Sequence, residues 1–307
     1  MTNRVLIRNK ILQIVFSAFI DRDKTIAQSE MEYVHSIKKT YDLYILLLQL
    51  IVKLTDEQNE RIERLRGRYI NPVADKDIDW RLSKNRLAKQ LSENIQMNEY
   101  LEKNPEVNAV INPRLVKSLL DSILSSDIYA DYLEQEDSYE ADKNFWKKIL
   151  KGWADEPEID EVLEGESLYW NNDIDIIVTF VLKTIKSFKE DSTEDAKIID
   201  SFDAEADSDF PGKLLSHTIL DFDANIKHIS CAAKNWEADR IANMDFVIMC
   251  MALTEARMFP SIPVNVTLSE YIELAKSYSS DKSATFINGV LDAIIKKLKK
   301  EGKINKD

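Results

Sequence analysis

The sequence of 307 residues predicts an all-α fold, and three observations carry that prediction. Six glycines and seven prolines are too few for a turn-rich β architecture, while 44% hydrophobic residues suffice to bury a core. Apolar positions also recur at helical spacing. Phe286, Ile287, Val290, Leu291, Ile294, Ile295 and Leu298 fall on one broad face. A chain of this length makes one large domain or two ordinary ones.

The first helix is expected over residues 4–20. Ile7, Ile11, Val15 and Ala18 face inward, and Arg4, Arg8, Leu12 and Phe16 form a second stripe at i+4 spacing. Two readings of that stripe stand: a solvated first turn ahead of an ordinary core phenylalanine, or a ligand face. The run Ile11–Ile20 is led by Arg4, Arg8 and Lys10 and meets no small-residue cleavage site before Asp21, which argues against a signal peptide. A long helix follows over 28–66. Its apolar stretch from Tyr41 to Leu54 is shorter than the roughly 20 residues a membrane span needs, and it contains Asp42, Gln49 and Lys53, so it reads as buried. Arg61, Arg64, Arg66 and Arg68 around Gly67 fit either an exposed face or phosphate contacts.

After Asn71-Pro72, helix is expected over 77–103, followed by turns at Asn104-Pro105 and Asn112-Pro113. Phe145–Leu150, Glu158–Asp160, Trp170 and the apolar helix Ile174–Phe188 echo the stretch from Phe210 to Trp236. The echo suits a diverged duplication or the generic likeness of amphipathic helices. The acidic stretch 189–209 reads as a mobile linker. Met244–Met258 is an apolar helix closed by Pro260 and Pro263, the second introducing extended Val264-Asn265-Val266. Thr267 with Glu270 has the pattern of a capping box for Leu268–Lys276, with Ser269 as a competing cap. Gly289, inside the last helix, predicts a close backbone approach.

Formal charge is −13, but it is regional: residues 121–210 hold 26 acidic against 8 basic side chains, leaving the rest slightly basic. Arg4, Arg8 and Lys10 stand in an acid-free start, and residues 282–307 carry seven lysines against three acids. A Gly-rich phosphate loop, zinc-spaced ligands and a nucleophile elbow are all missing from the sequence. His35, His217 and His228 are scattered, and Cys231 and Cys250 have no ligand spacing, so no catalytic role, metal or cofactor is expected. The reduced thiols fit a cytoplasmic setting.

Trp236, Arg240, Met244-Asp245, the Ile262-Pro263 turn, Ser269–Lys276 and Ser283–Asp292, taken in order, resemble the transcription antitermination factor NusB family. The resemblance implies a NusB-like helical bundle core built from residues 1–20 and 205–307, with 21–204 as a large inserted helical region. It implies RNA contacts at Arg4, Arg8, Phe16, Asp245 and Phe286, with Gln13 also at a matching place. It further implies a factor that binds boxA-type single-stranded RNA with the NusE ribosomal protein, for delivery to the RNA polymerase antitermination complex, with no membrane role. Phe246 departs from a commonly basic position and Lys282 from an acidic one; Ser269 replaces a usual asparagine but caps equally well. A protein-only helical scaffold is the rival reading. An RNA methyltransferase would need a Gly-rich cofactor domain that these residues do not supply.

Overall fold

The structure, a computed structural model, describes residues 4–67, 74, 78–170, 172–200, 209–233, 241–304 and 306. Among the described residues regular structure is helical throughout: α1 (Arg4–Ile20), α2 (Ile26–Arg66), α3 (Arg86–Ser92), α4 (Ile95–Lys103), α5 (Pro105–Ala109), α6 (Pro113–Leu124), α7 (Asp127–Glu134), α8 (Tyr139–Gly152), α9 (Pro157–Glu166), α10 (Ile174–Ser187), α11 (Asp209–Leu220), α12 (Phe222–Ala232), α13 (Asn243–Met258), α14 (Val264–Tyr278) and α15 (Asp281–Lys300). The all-α expectation holds. The chain divides into two units: Met1–Ile37 with Asp203–Asp307, and Lys38–Phe202. The start of α2, read from sequence as part of the insertion, therefore groups with the first unit. Trp236, Arg240, Arg68, Asn71, Pro72 and the 204/205 boundary lie outside the described residues.

In the first unit every residue from Val247 to Ala256 is buried, so α13 is a helix closed in on all sides. It is surrounded by α1, α11, α12, α14 and α15. The apolar face predicted for the last helix is there: Ile287, Val290, Leu291, Ile294, Ile295 and Leu298 join the core. Two local expectations fail. α14 begins at Val264, three residues before the supposed cap, with Pro263 at its N-cap position and no side-chain cap. Gly289 is exposed, and a Cβ there would meet nothing within 4 Å, so no backbone presses on it.

Apart from α2, the second unit is built from shorter helices, five of which have local start signals. Asn85 accepts from the Ala88 N–H at 3.0 Å, Asn94 from Met97 at 3.0 Å and Asn112 from Leu115 at 2.9 Å. Ser126 and Ser138 do the same for α7 and α8. Each such cap satisfies a backbone donor that the helix itself leaves unpaired. The Tyr41–Leu54 stretch of α2 is buried as predicted, and Trp146 is wholly enclosed. Residues 189–200, read as a mobile linker, are tied down instead. Ile95 N–H donates to Glu194 O at 2.9 Å, Asn94 Nδ2 to Ala196 O at 2.6 Å, and Tyr41 OH to Ile199 O at 2.9 Å. Their acidity suggested solvation, but their backbone carbonyls were the groups that found partners. No described helix is long and apolar enough to cross a membrane.

Candidate nucleic-acid interface

The basic start of α1 is held by a buried acid in the last turn of α13. Arg8 Nε donates to Glu255 Oε2 at 2.8 Å and Arg8 Nη2 to Glu255 Oε1 at 2.9 Å, a two-pronged pair in which Arg8 is 3% exposed and Glu255 0%. Arg8 Nη1 donates to Glu270 Oε2 at 3.0 Å. Thr267 Oγ1 donates to Glu255 Oε1 at 2.9 Å and Tyr271 OH to Glu255 Oε2 at 3.1 Å. The residues that look like a capping box thus serve this cluster. Burial alone would lower the Arg8 guanidinium, but the bonds to Glu255 and the surrounding charge outweigh it and leave Arg8 above its ordinary value. Burial, then the charge of Glu255, pushes the Tyr271 phenol well above its ordinary value.

Around this pair the aromatic rings are ordered. Arg4 lies 5.3 Å and Arg8 5.5 Å from the Phe210 ring centre, and Phe210 packs on Phe259 at 4.8 Å. Lys306 Nζ donates to Phe259 O at 2.8 Å and to Glu255 O at 3.3 Å, placing a cation at the C-terminal end of α13 where the helix carbonyls favour one.

The middle of α1 is tied to α14 by Gln13, whose Nε2 donates to Tyr278 OH at 3.2 Å. Tyr278 ends α14, and only Ser279 and Ser280 separate it from α15, whose N-cap Ser280 accepts from Ser283 N–H at 3.1 Å. Phe16 and Phe286 both pack half-buried against the core cluster of the unit. Twelve residues separate Arg4 from Phe16 on α1, about 18 Å of helix at 1.5 Å per residue.

Of the residues expected to touch RNA, Arg4, Phe16 and Phe286 are half-buried and keep part of their surface at the solvent. Arg8 does not: its charge is spent on Glu255 and Glu270. Asp245, 4% exposed in the first turn of α13, is also withdrawn from the surface. Sequence reasoning missed Glu255, Thr267, Tyr271 and Phe210. One signal was available: Glu255 is the only acid inside the apolar run Val247–Ala256, and a buried carboxylate requires a counter-charge. The arginines around Gly67 resolve toward ion pairs: Arg61 with Asp121, Arg64 with Glu57, and Arg66 with Glu63. Among the described residues no three His, Cys, Asp or Glu side chains converge as metal ligands.

The family model described as the NusB family matches residues 174–296. A transcription antitermination protein NusB from Salinibacter ruber is 41% identical over 98 residues, covering 32% of this chain and 61% of that protein. NusB of Chloroherpeton thalassium is 36% identical over 129 residues, 41% of this chain and 61% of the relative. NusB of Natranaerobius thermophilus is 38% identical over 74 residues, 24% and 53% respectively. The chain thus spans about three-fifths or less of the length of these curated relatives. No solved structure matches.

Proposed function

Because the chain carries a domain of the NusB family, we propose that it is a transcription antitermination factor that binds boxA-type single-stranded RNA together with the NusE ribosomal protein. What supports this reading is the match over residues 174–296, most of which falls in the unit that also holds the acid-free basic helix α1. In the proposed complex the strand runs along α1. Arg4 meets a phosphate, Phe16 and Phe286 each offer a ring for a base, and each stack is worth about 1–3 kcal/mol. Arg8 and Asp245 act from behind. Arg8 fixes α1 against α13 and α14, so its contribution to RNA binding is one of position.

One phosphate contact to a single strand, at Arg4, gives a salt slope of only about −0.7, so RNA alone binds modestly and NusE supplies the rest of the grip. The complex is then delivered to RNA polymerase. The test is fluorescence anisotropy of labelled boxA-type RNA with this protein, alone and with its NusE-like partner, beside Arg4→Ala and Phe286→Ala. Tightening by the partner that both variants lose is the expected result. Partner binding with no gain in RNA affinity would instead establish the protein-only scaffold, a reading that the internal use of Arg8 favours.

A further inference from the structure

Helices α6 and α9 of the Lys38–Phe202 unit wall an open groove of about 830 Å³ whose two sides carry opposite charge. Arg114 and Lys117 line the α6 side, where the lone acid, Asp121, is taken up by Arg61 of α2 at 2.6 Å. The α9 side presents Glu158, Glu161 and Glu166, on a helix that holds five acids and no base. Ser118 Oγ donates to Glu158 Oε1 at 2.5 Å and joins the two walls. Arg114, Lys117, Glu161 and Glu166 make no ion pair among the described residues, so the opposite charges are not spent on each other. Two of them work against their own helices. Arg114 stands in the first turn of α6 and Glu166 in the last turn of α9, ends where the backbone dipole favours the opposite sign. Gly165 also lines the groove; it has no positive φ, and a Cβ there would meet nothing within 4 Å, so neither backbone strain nor crowding calls for glycine. Helix formation accounts for none of the three.

We propose that this groove docks one amphipathic helix of a partner protein, a helix whose apolar stripe is flanked by acids on one side and bases on the other. Arg114 and Lys117 meet the acidic flank, Glu161 and Glu166 the basic flank, and Leu115 and Val162 the stripe. The walls run from Asn112 to Asp121 and from Glu158 to Glu166, about 12–14 Å at 1.5 Å per residue, which is room for two turns of the guest. An extended peptide would need a strand edge for its backbone groups, and regular structure among the described residues is helical throughout. A helix satisfies those groups internally. Nucleic acid is opposed by the acidic wall. The groove lies outside the unit that holds α1, so the proposal stands or falls apart from the RNA-binding reading.

The experiment is fluorescence anisotropy of the full chain at fixed salt with three labelled peptides of about 18 residues, long enough to be helical alone. They share one leucine stripe: the first has glutamates on one flank and lysines on the other, the second lysines on both, the third glutamates on both. The wild-type chain should prefer the mixed peptide by about tenfold. Arg114→Glu with Lys117→Glu should transfer that preference to the lysine peptide, and Glu161→Lys with Glu166→Lys should transfer it to the glutamate peptide. Both double variants should keep the wild-type thermal transition or raise it, since each relieves a charge opposed by its helix end. No binding by the wild-type chain, or one order of preference shared by it and both double variants, would overturn the proposal. Self-association in sedimentation equilibrium, lost in either double variant, would give the groove to a second copy instead. Oligouridylate binding lost only in Arg114→Glu with Lys117→Glu would give it to RNA.

Discussion

The two units of this chain solve the same problem by different means. In the unit Lys38–Phe202, helices start where a short polar side chain sits next to the backbone it caps, as at Asn85, Asn94, Asn112, Ser126 and Ser138. In the other unit α13 and α14 start at Ala242 and Pro263 with no side-chain cap, and α1 is fixed by an acid 247 positions away in sequence. Side-chain caps are denser in the second unit, although Ser280 caps α15 in the first and α5, α9 and α10 in the second have none. The unit that carries the candidate interface adds to its apolar core a buried ion pair between distant parts of the chain.

The largest test of that difference is Glu255→Ala. It leaves the Arg8 guanidinium buried without its main partner, and removing one member of a buried pair costs about 3–5 kcal/mol. Urea unfolding followed by far-ultraviolet circular dichroism measures it. The counterpart in the other unit is Asp142, which accepts from Tyr132 OH at 2.5 Å and from Arg86 N–H at 3.0 Å. Its other partner is the Arg86 guanidinium at 3.3 Å, but that cation is 38% exposed and keeps Asp137 at 2.6 Å, so Asp142→Ala should cost only about 1–3 kcal/mol. Equal losses would erase the distinction between the units.

Alkali should separate them in the other direction. Burial pushes the Tyr41 phenol up to about 12 and raises Tyr44, Tyr100, Tyr129, Tyr132 and Tyr139 further, all in Lys38–Phe202. A raised folded value means the folded chain holds its proton longer than the unfolded one. The associated stability is complete below the ordinary phenol value of 10.0 and drains away as the pH climbs from there toward the folded values. In the first unit Tyr271 carries such a shift. Four of the five tryptophans, Trp80, Trp146, Trp153 and Trp170, lie in the tyrosine-rich unit, so most of the tryptophan fluorescence should move at lower pH than the overall helical signal. Simultaneous loss of both signals would show the units to be one cooperative body.

The same contrast explains what the sequence disclosed. Residues 4–20 and 244–258 were legible as helices because periodicity reports burial whatever the partner is, and Asn112-Pro113, read only as a turn, is where α6 starts with Asn112 as its cap. Thr267 and Glu270 misled, because a threonine and a glutamate three apart look alike whether they serve their own backbone or a buried arginine elsewhere in the chain. Arg8 was read as an RNA contact but is buried, and its partner Glu255 could be found only by asking what neutralises an acid inside an apolar helix. Replacing a local cap should be milder than breaking that pair: Asn112→Ala is expected to cost about 1 kcal/mol by urea unfolding.

The smallest expected effect is a gain. Gly289 lies inside α15, and a Cβ there would meet no atom within 4 Å, so Gly289→Ala adds helix propensity without a clash. It should stabilise the chain by about 0.5–1 kcal/mol, read as a raised urea midpoint at constant slope. A glycine that costs stability and relieves no crowding within the protein has no reason in the folded chain itself, and it stands three residues after Phe286 on the helix proposed to offer a ring to RNA. The paired anisotropy measurement then decides what the empty space is for. Weaker RNA binding in a more stable variant would place the approaching backbone on the ligand, whereas unchanged binding would leave Gly289 as a tolerated weakness in a helix held by its buried face.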